Sequence, residues 1–272
     1  MNRCLYFSAT GNTRHLARLL AHELGYEAVS VTDVLGGRAE AAPFRVLCFP
    51  VHGWRVPKIV GSFLRSVAAG GADGSGGMGA AELYVLLTCG DDCGKAVGYL
   101  RRITDPLGIG IAGAFSLTMP ESYVGLPFMD VDTKEREQEK IRAAERAIPR
   151  IAGIIRQGRR GVYEVDEGGG AYLKSKLLGG IFHRLLVTDA TFRVDARACI
   201  SCGRCERACP VGNIALAAAP GGSQPYAKPL PSWRHNGNCL TCLACYHVCP
   251  RHAVSFNWQT KRKGQYCTLA PL

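Results

Sequence analysis

Eight of the thirteen cysteines repeat one spacing, C-x2-C-x2-C-x3-C-P, first as CISCGRCERACP from Cys199 to Pro210 and again as CLTCLACYHVCP from Cys239 to Pro250. A loop of this kind brings three thiolates to three corners of an iron–sulfur cube, with the fourth cysteine set apart. Structural zinc usually draws on two ligand pairs and a longer spacer, so so tight a triplet suits a cubane better than a single tetrahedral ion. Disulfides belong to oxidising compartments. The other five cysteines, Cys4, Cys48, Cys89, Cys93 and Cys267, are an odd, scattered set that fits a reducing one. Two 4Fe-4S clusters are therefore expected.

A second chemistry sits near the start, in Ser8-Ala9-Thr10-Gly11-Asn12-Thr13. Small hydroxyl and amide side chains around a glycine let backbone N–H groups close on an anion, and a helix N-terminus adds its positive dipole end. The loop has no lysine, so it is not a Walker-type loop; it suits a compact monophosphate. An ordinary capped turn has the same composition.

The elements that position this loop read as α/β. Arg3–Ser8, Ala28–Val31, Arg45–Pro50, Glu82–Thr88 and Ile109–Leu117 read as strands. Thr13–Leu24, Pro57–Ala69, Asp92–Ile103 and Thr133–Gln157 read as helices, the last with Pro149 inside it. This alternation predicts a doubly wound parallel sheet of five strands, with ligands outside the carboxyl ends near the point where strand order reverses. Gly168-Gly169-Gly170 is punctuation, and Tyr172–Val187 reads as a helix that docks one domain on the other. A membrane-surface helix is the second reading of that segment, given Lys174, Lys176 and Arg184. The glycine-rich Gly70–Gly79 and the Pro-, Gly- and Ser-rich Val211–Asn238 read as surface loops, and Ile214–Leu216 and Ala253–Phe256 as strand-like pieces.

YFSATGNT resembles the phosphate-binding loop of the flavodoxin family. That resemblance, over roughly residues 1–157, implies FMN, with its phosphate on Ser8, Thr10, Gly11, Asn12 and Thr13 and on the backbone of Ala9. It further implies that Pro50, Val51, His52, Gly53 and Trp54, and Thr88, Cys89, Gly90 and Asp91, flank the flavin ring, Trp54 by stacking and Gly53 and Gly90 by backbone approach. The chain departs from flavodoxins in having no aromatic residue in the fourth-strand loop and in carrying a mildly basic rather than acidic domain. The cysteine repeat resembles bacterial two-cluster ferredoxins over residues 192–258. That resemblance implies crossed ligation: Cys199, Cys202, Cys205 and Cys249 for one cluster, Cys239, Cys242, Cys245 and Cys209 for the other. His247, inside the second copy, is read as filler.

Together the halves resemble flavodoxin-domain ferredoxins: a flavodoxin-like domain (1–157), a linker and docking helix (158–191) and a small α+β dicluster ferredoxin-like domain (192–272). The expected function is electron transfer between FMN and the clusters and on to a redox partner. The alternatives are an FMN-dependent reductase of a quinone or nitroaromatic, and a non-catalytic docking module with a vestigial flavodoxin fold. No catalytic residue is assigned. No Ser-His-Asp set, hydrolase metal motif or GxGxxG fingerprint after a strand is present.

At 272 residues and 47% hydrophobic the chain can bury real cores. Its net charge is +11, of which +7 falls in residues 161–272. That excess either steers an acidic partner or offsets anionic clusters. No nucleic-acid motif is present. The start MNRCLYFSATGNT shows no export leader, and no apolar run is long enough to span a bilayer, so a cytoplasmic protein is expected.

Overall fold

The protein is described from a computed structural model covering residues 2–40, 43–70, 82–217 and 228–268. The expected loop at Gly70–Gly79 lies outside the described residues beyond Gly70, as does part of Val211–Asn238.

The described chain divides into two compact units. One comprises Met1–Ser8, Asn12–Pro120 and Thr133–Arg184; the other comprises Ala9–Gly11, Glu121–Asp132 and Leu185–Leu272.

The first unit is a parallel sheet of β1 (Arg3–Tyr6), β2 (Glu27–Ser30), β3 (Phe44–Pro50), β4 (Glu82–Cys89), β5 (Gly110–Thr118) and β6 (Val162–Glu164), in the order β2-β1-β3-β4-β5-β6. This is the doubly wound, flavodoxin-type topology. It has six strands where the sequence led us to expect five. β6 is three residues long with two of them exposed, too short to show a period, and it is recruited by pairing with Gly113–Phe115 of β5.

The central strands are apolar on both faces, as burial between helix layers requires. On one face Cys4, Tyr6, Val46, Cys48, Tyr84, Leu86 and Phe115 pack with Leu16 and Leu20 of α1 (Asn12–Leu24) and Ile148, Ile151 and Ile155 of α5 (Lys134–Arg156). α5 is set at its start by the Thr133 hydroxyl, which accepts from Arg136 N–H at 3.4 Å. A short α2 (Val31–Leu35) follows β2 directly, capped by Ser30. α3 (Lys58–Ala69) sends Phe63 against Phe44 of β3, ring centroids 5.6 Å apart.

α4 (Ala96–Thr104) begins later than the expected Asp92. Asp92–Lys95 are held as a loop instead: Cys93 N–H donates to Asp166 O at 2.8 Å and Gly94 N–H to the Asp92 carboxylate at 3.1 Å.

The second unit repeats itself. β7 (Phe192–Val194) pairs antiparallel with β10 (Val254–Phe256), and β8 (Ile214–Ala217) with β9 (Leu230–Trp233). β8 falls on the strand-like piece expected at Ile214–Leu216, while β9 corrects the reading of the rest of Val211–Asn238 as loop; a turn-rich composition hid that four-residue strand. Phe192 stacks on Trp233 at 5.1 Å and tilts against Phe256 at 5.0 Å, the centre of this unit's core.

Candidate functional site

Strand order reverses beside β1, and in sheets of this kind the crevice lies outside the carboxyl ends there. Ladder bonds run one residue beyond the strands. Phe7 N–H donates to Cys48 O at 2.9 Å, Val51 N–H to Thr88 O at 2.8 Å and Met119 N–H to Cys89 O at 2.8 Å. The loops after β1, β3, β4 and β5 thus leave the sheet at one edge.

Several side chains of the anion-type loop are committed to other protein groups. The Thr13 and Thr88 hydroxyls lie 2.8 Å apart, both buried, and the Asn12 amide donates to Pro120 O at 2.9 Å. Ala9–Gly11 group with the second unit, where Thr10 O accepts from Thr268 N–H at 2.9 Å. The Lys140 ammonium donates to Gly90 O at 3.0 Å.

After β3 the chain turns back within four residues. His52 and Arg55 exchange backbone bonds of 3.0 and 3.1 Å, with Gly53 at φ 52° and Trp54 at φ 58°. Two consecutive left-handed residues make a type I′ turn. Glycine holds that conformation without strain, but a tryptophan there costs about 1–2 kcal/mol, which the packing around it must offset.

That packing comes from the helical run over 171–186, built of Ala171–Leu173, a π turn Lys174–Leu178, Gly179–Ile181 and a second π turn Phe182–Leu186. The Phe182 ring lies against Gly53, where a Cβ would stand 2.5 Å from Cδ1. His183 Nε2–H donates to His52 O at 2.7 Å. Lys174 lies 5.8 Å from the Trp54 ring centroid and pairs with Asp92. Arg55 donates to Ser175 O at 3.0 Å and to Lys176 O at 3.1 Å, and the buried Ser175 hydroxyl accepts from Lys95 N–H at 2.9 Å.

Sequence reasoning missed these partners. The available signal was a four-residue repeat of Ala171, Ser175 and Gly179, small residues that let a helix approach closely.

Burial first, and then the nearby His183, lowers the His52 pKa to about 4. Burial pushes Cys93 up to about 11 and Cys89 higher still, so both thiols stay protonated and act as packing.

In the second unit the two cysteine loops superimpose in kind. Each fourth and first cysteine accepts a backbone N–H: Ser201 to Cys199 and Thr241 to Cys239 at 3.4 Å, Asn213 to Cys209 and Ala253 to Cys249 at 3.2 Å. Left-handed residues recur in register too: Ser201 with Thr241, Gly203 with Leu243, Gly212 with His252. Cys199, Cys202, Cys205 and Cys249 line one hollow, and Cys209, Cys239, Cys242 and Cys245 another. His247 is buried, its Nε2–H donating to Ser122 O at 2.7 Å and its Nδ1 accepting from Tyr266 N–H at 3.1 Å.

Sharing a hollow is a weaker condition than forming a ligand set. Among the described residues no group of three or more His, Cys, Asp or Glu side chains is placed to hold a metal ion. This finding corrects the expectation of two 4Fe-4S clusters, and with it the iron–sulfur electron relay. FMN is corrected with them. Phe182 covers the Gly53 backbone that was to approach the flavin ring, and the Asn12 and Thr13 side chains expected on its phosphate hold Pro120 and Thr88.

Residues 198–254 match a family model described as a 4Fe-4S dicluster domain, a segment well short of half the chain. No curated protein matches the chain. Among solved structures it is similar to the Trp repressor binding protein from Bacillus subtilis, at 15% identity over 54% of this chain and 96% of that one, TM-score 0.37. It is similar to the WrbA-like flavodoxin from Agrobacterium tumefaciens, at 13% over 58% and 98%, TM-score 0.38. Megasphaera elsdenii flavodoxin follows at 16% over 54% and 98%, TM-score 0.33. Likenesses at this level carry no family assignment. With the dicluster model matching residues 198–254 alone and no metal-holding group among the described residues, the expected membership of a flavodoxin-domain ferredoxin family is corrected. Among the described residues no helix is long and apolar enough to cross a membrane.

Proposed function

We propose that the chain is a docking component of a cytoplasmic oxidoreductase assembly, with its flavodoxin-type unit as scaffold and its basic second half meeting an acidic redox protein. The observation that carries this reading is the state of the sheet's carboxyl edge. Phe182, His183, Lys174 and Ser175 of the same chain occupy the loops after β3 and β4, where a fold of this type ordinarily receives a ligand. Arg193, Arg197, Arg207, Arg234 and Arg251 are exposed, and residues 161–272 carry +7, so opposite charge on a partner would speed encounter.

The test is binding to acidic electron-carrier proteins at low and high salt, with R207E/R251E as the comparison. Binding that weakens with salt and with charge reversal supports the reading; binding indifferent to both removes it.

One observation favours a second reading, a reductase of a quinone or nitroaromatic. Trp54 is held in a strained conformation and half-buried beside His52 at that same edge. Turnover of a quinone with a chemical electron donor, lowered by W54A, would replace the docking proposal with this one.

A further inference from the structure

The helical run over 171–186 has two sides of opposite character. Ala171, Ser175 and Gly179 are buried toward the loops, with His183 next in the same series and half-buried. Leu173, Leu177 and Ile181 form the opposite series, 64%, 52% and 46% exposed, with Tyr172 and Leu178 beside them at 63% and 48%.

Both series step by four residues. In a plain α-helix a four-residue step drifts about 40° around the axis and the line would spiral away. Here Lys174–Leu178 and Phe182–Leu186 are π turns, which wind more slowly, so the run averages roughly four residues per turn and each series stays straight. The winding that seats the inner line on the loops also collects the outer line into one apolar stripe.

Large apolar side chains gathered in this way mark an interaction surface. The charges around the stripe say which kind. No Asp or Glu occurs between Ala171 and Leu186, while Lys176 and Arg184 are exposed and Arg102 bears electrostatically on Lys176. Lys174 is turned inward to Asp92. A second copy laid on the stripe would bring these cations against their own kind with no carboxylate on the run to meet them.

We propose that this stripe is a peripheral lipid-binding surface. Tyr172, Leu173, Leu177, Leu178 and Ile181 enter the acyl boundary of an anionic bilayer, while Lys176, Arg184 and Arg102 meet its headgroups. The proposal does not depend on the docking reading above.

The test is co-sedimentation of the full chain with vesicles of phosphatidylcholine alone and of phosphatidylcholine with phosphatidylserine, run beside light scattering of the chain in solution. The expected result is a monomer that partitions onto the phosphatidylserine vesicles at least about tenfold better than onto the neutral ones. L177D/I181D, checked by circular dichroism for an intact fold, should lose that partitioning, and K176E/R184E should lose the preference for phosphatidylserine. Absence of binding to anionic vesicles, binding that survives L177D/I181D in a folded variant, or a dimer that this variant dissociates would each overturn the proposal.

Discussion

Gly179 stands so close to the Gly53 carbonyl that a Cβ on it would lie 2.6 Å from that oxygen. Backbone cannot give way as a side chain can, so G179A must push the helical run off the 52–55 turn, at a cost of about 1–3 kcal/mol. The neighbouring Gly180 is the control. A Cβ there would meet only the Arg55 guanidinium, 3.2 Å away at the end of a flexible chain. G180A should be neutral or slightly stabilising, since alanine favours helix over glycine. Urea unfolding of both variants checks this; equal effects would mean the contact does not hold the run in place.

The Thr13–Thr88 hydroxyl pair ties the start of α1 to the end of β4 at 2.8 Å. Removing one hydroxyl strands the other in a buried site, so T13V and T88V should each cost about 1–3 kcal/mol. T13V/T88V should cost less than the two added together, with a coupling of about 1 kcal/mol or more. A double-mutant cycle that closes additively would show that the pair contributes nothing as a pair.

His52 should make stability depend on pH. Its folded pKa is about 4 against an ordinary 6.5, so between those values the unfolded chain binds a proton that the native state excludes. The contribution is complete above pH 6.5 and is lost progressively as pH falls toward 4. The urea midpoint should therefore drop from pH 7.5 to pH 5, and drop less in H52Q, which keeps the turn but cannot titrate. Parallel pH profiles for the two proteins would contradict this.

Thiol reactivity should sort by exposure. Cys202 is exposed, whereas Cys4 and Cys48 are fully buried with sulfurs 3.7 Å apart, and burial raises the pKa of Cys48, Cys89 and Cys93. Iodoacetamide at pH 8 should modify Cys202 within minutes and leave the other four until the chain is unfolded, as read by peptide mass. Early modification of Cys89 would show that its loop opens.

The sheet was legible because its strands are apolar on both faces and separated by helices whose apolar residues follow the α period. That signal located β1, β3, β4 and β5 to within a few residues. It failed where a strand is recruited rather than encoded, as at Val162–Glu164, and where prolines surround a short strand, as at Leu230–Trp233. The loops at the sheet edge were legible as residue types, but what covers them was not. Phe182 and His183 meet Gly53 and His52 across some 130 positions of sequence, and the four-residue step of their helix matches neither the α nor the strand period. The cysteine spacing was the loudest motif in the chain, yet spacing alone does not fix whether the side chains come together as a metal-holding group.

The correspondence between Gly203 and Leu243 shows the two cysteine loops to be unequal. Both positions adopt a left-handed backbone, at φ 71° and 57°, but only Leu243 adds a side chain to the interior, where it is fully enclosed. The later loop adds a side chain to its unit's core, while the earlier one adds none at the matching position. Exchanging them would cost stability in both directions: leucine at 203 would strain a left-handed backbone and press on the flexible end of Arg207, and glycine at 243 would remove a fully buried side chain from the core that includes Tyr246 and Trp233. The internal symmetry of this unit therefore extends to the path of the main chain and stops short of the side chains each half adds to the core.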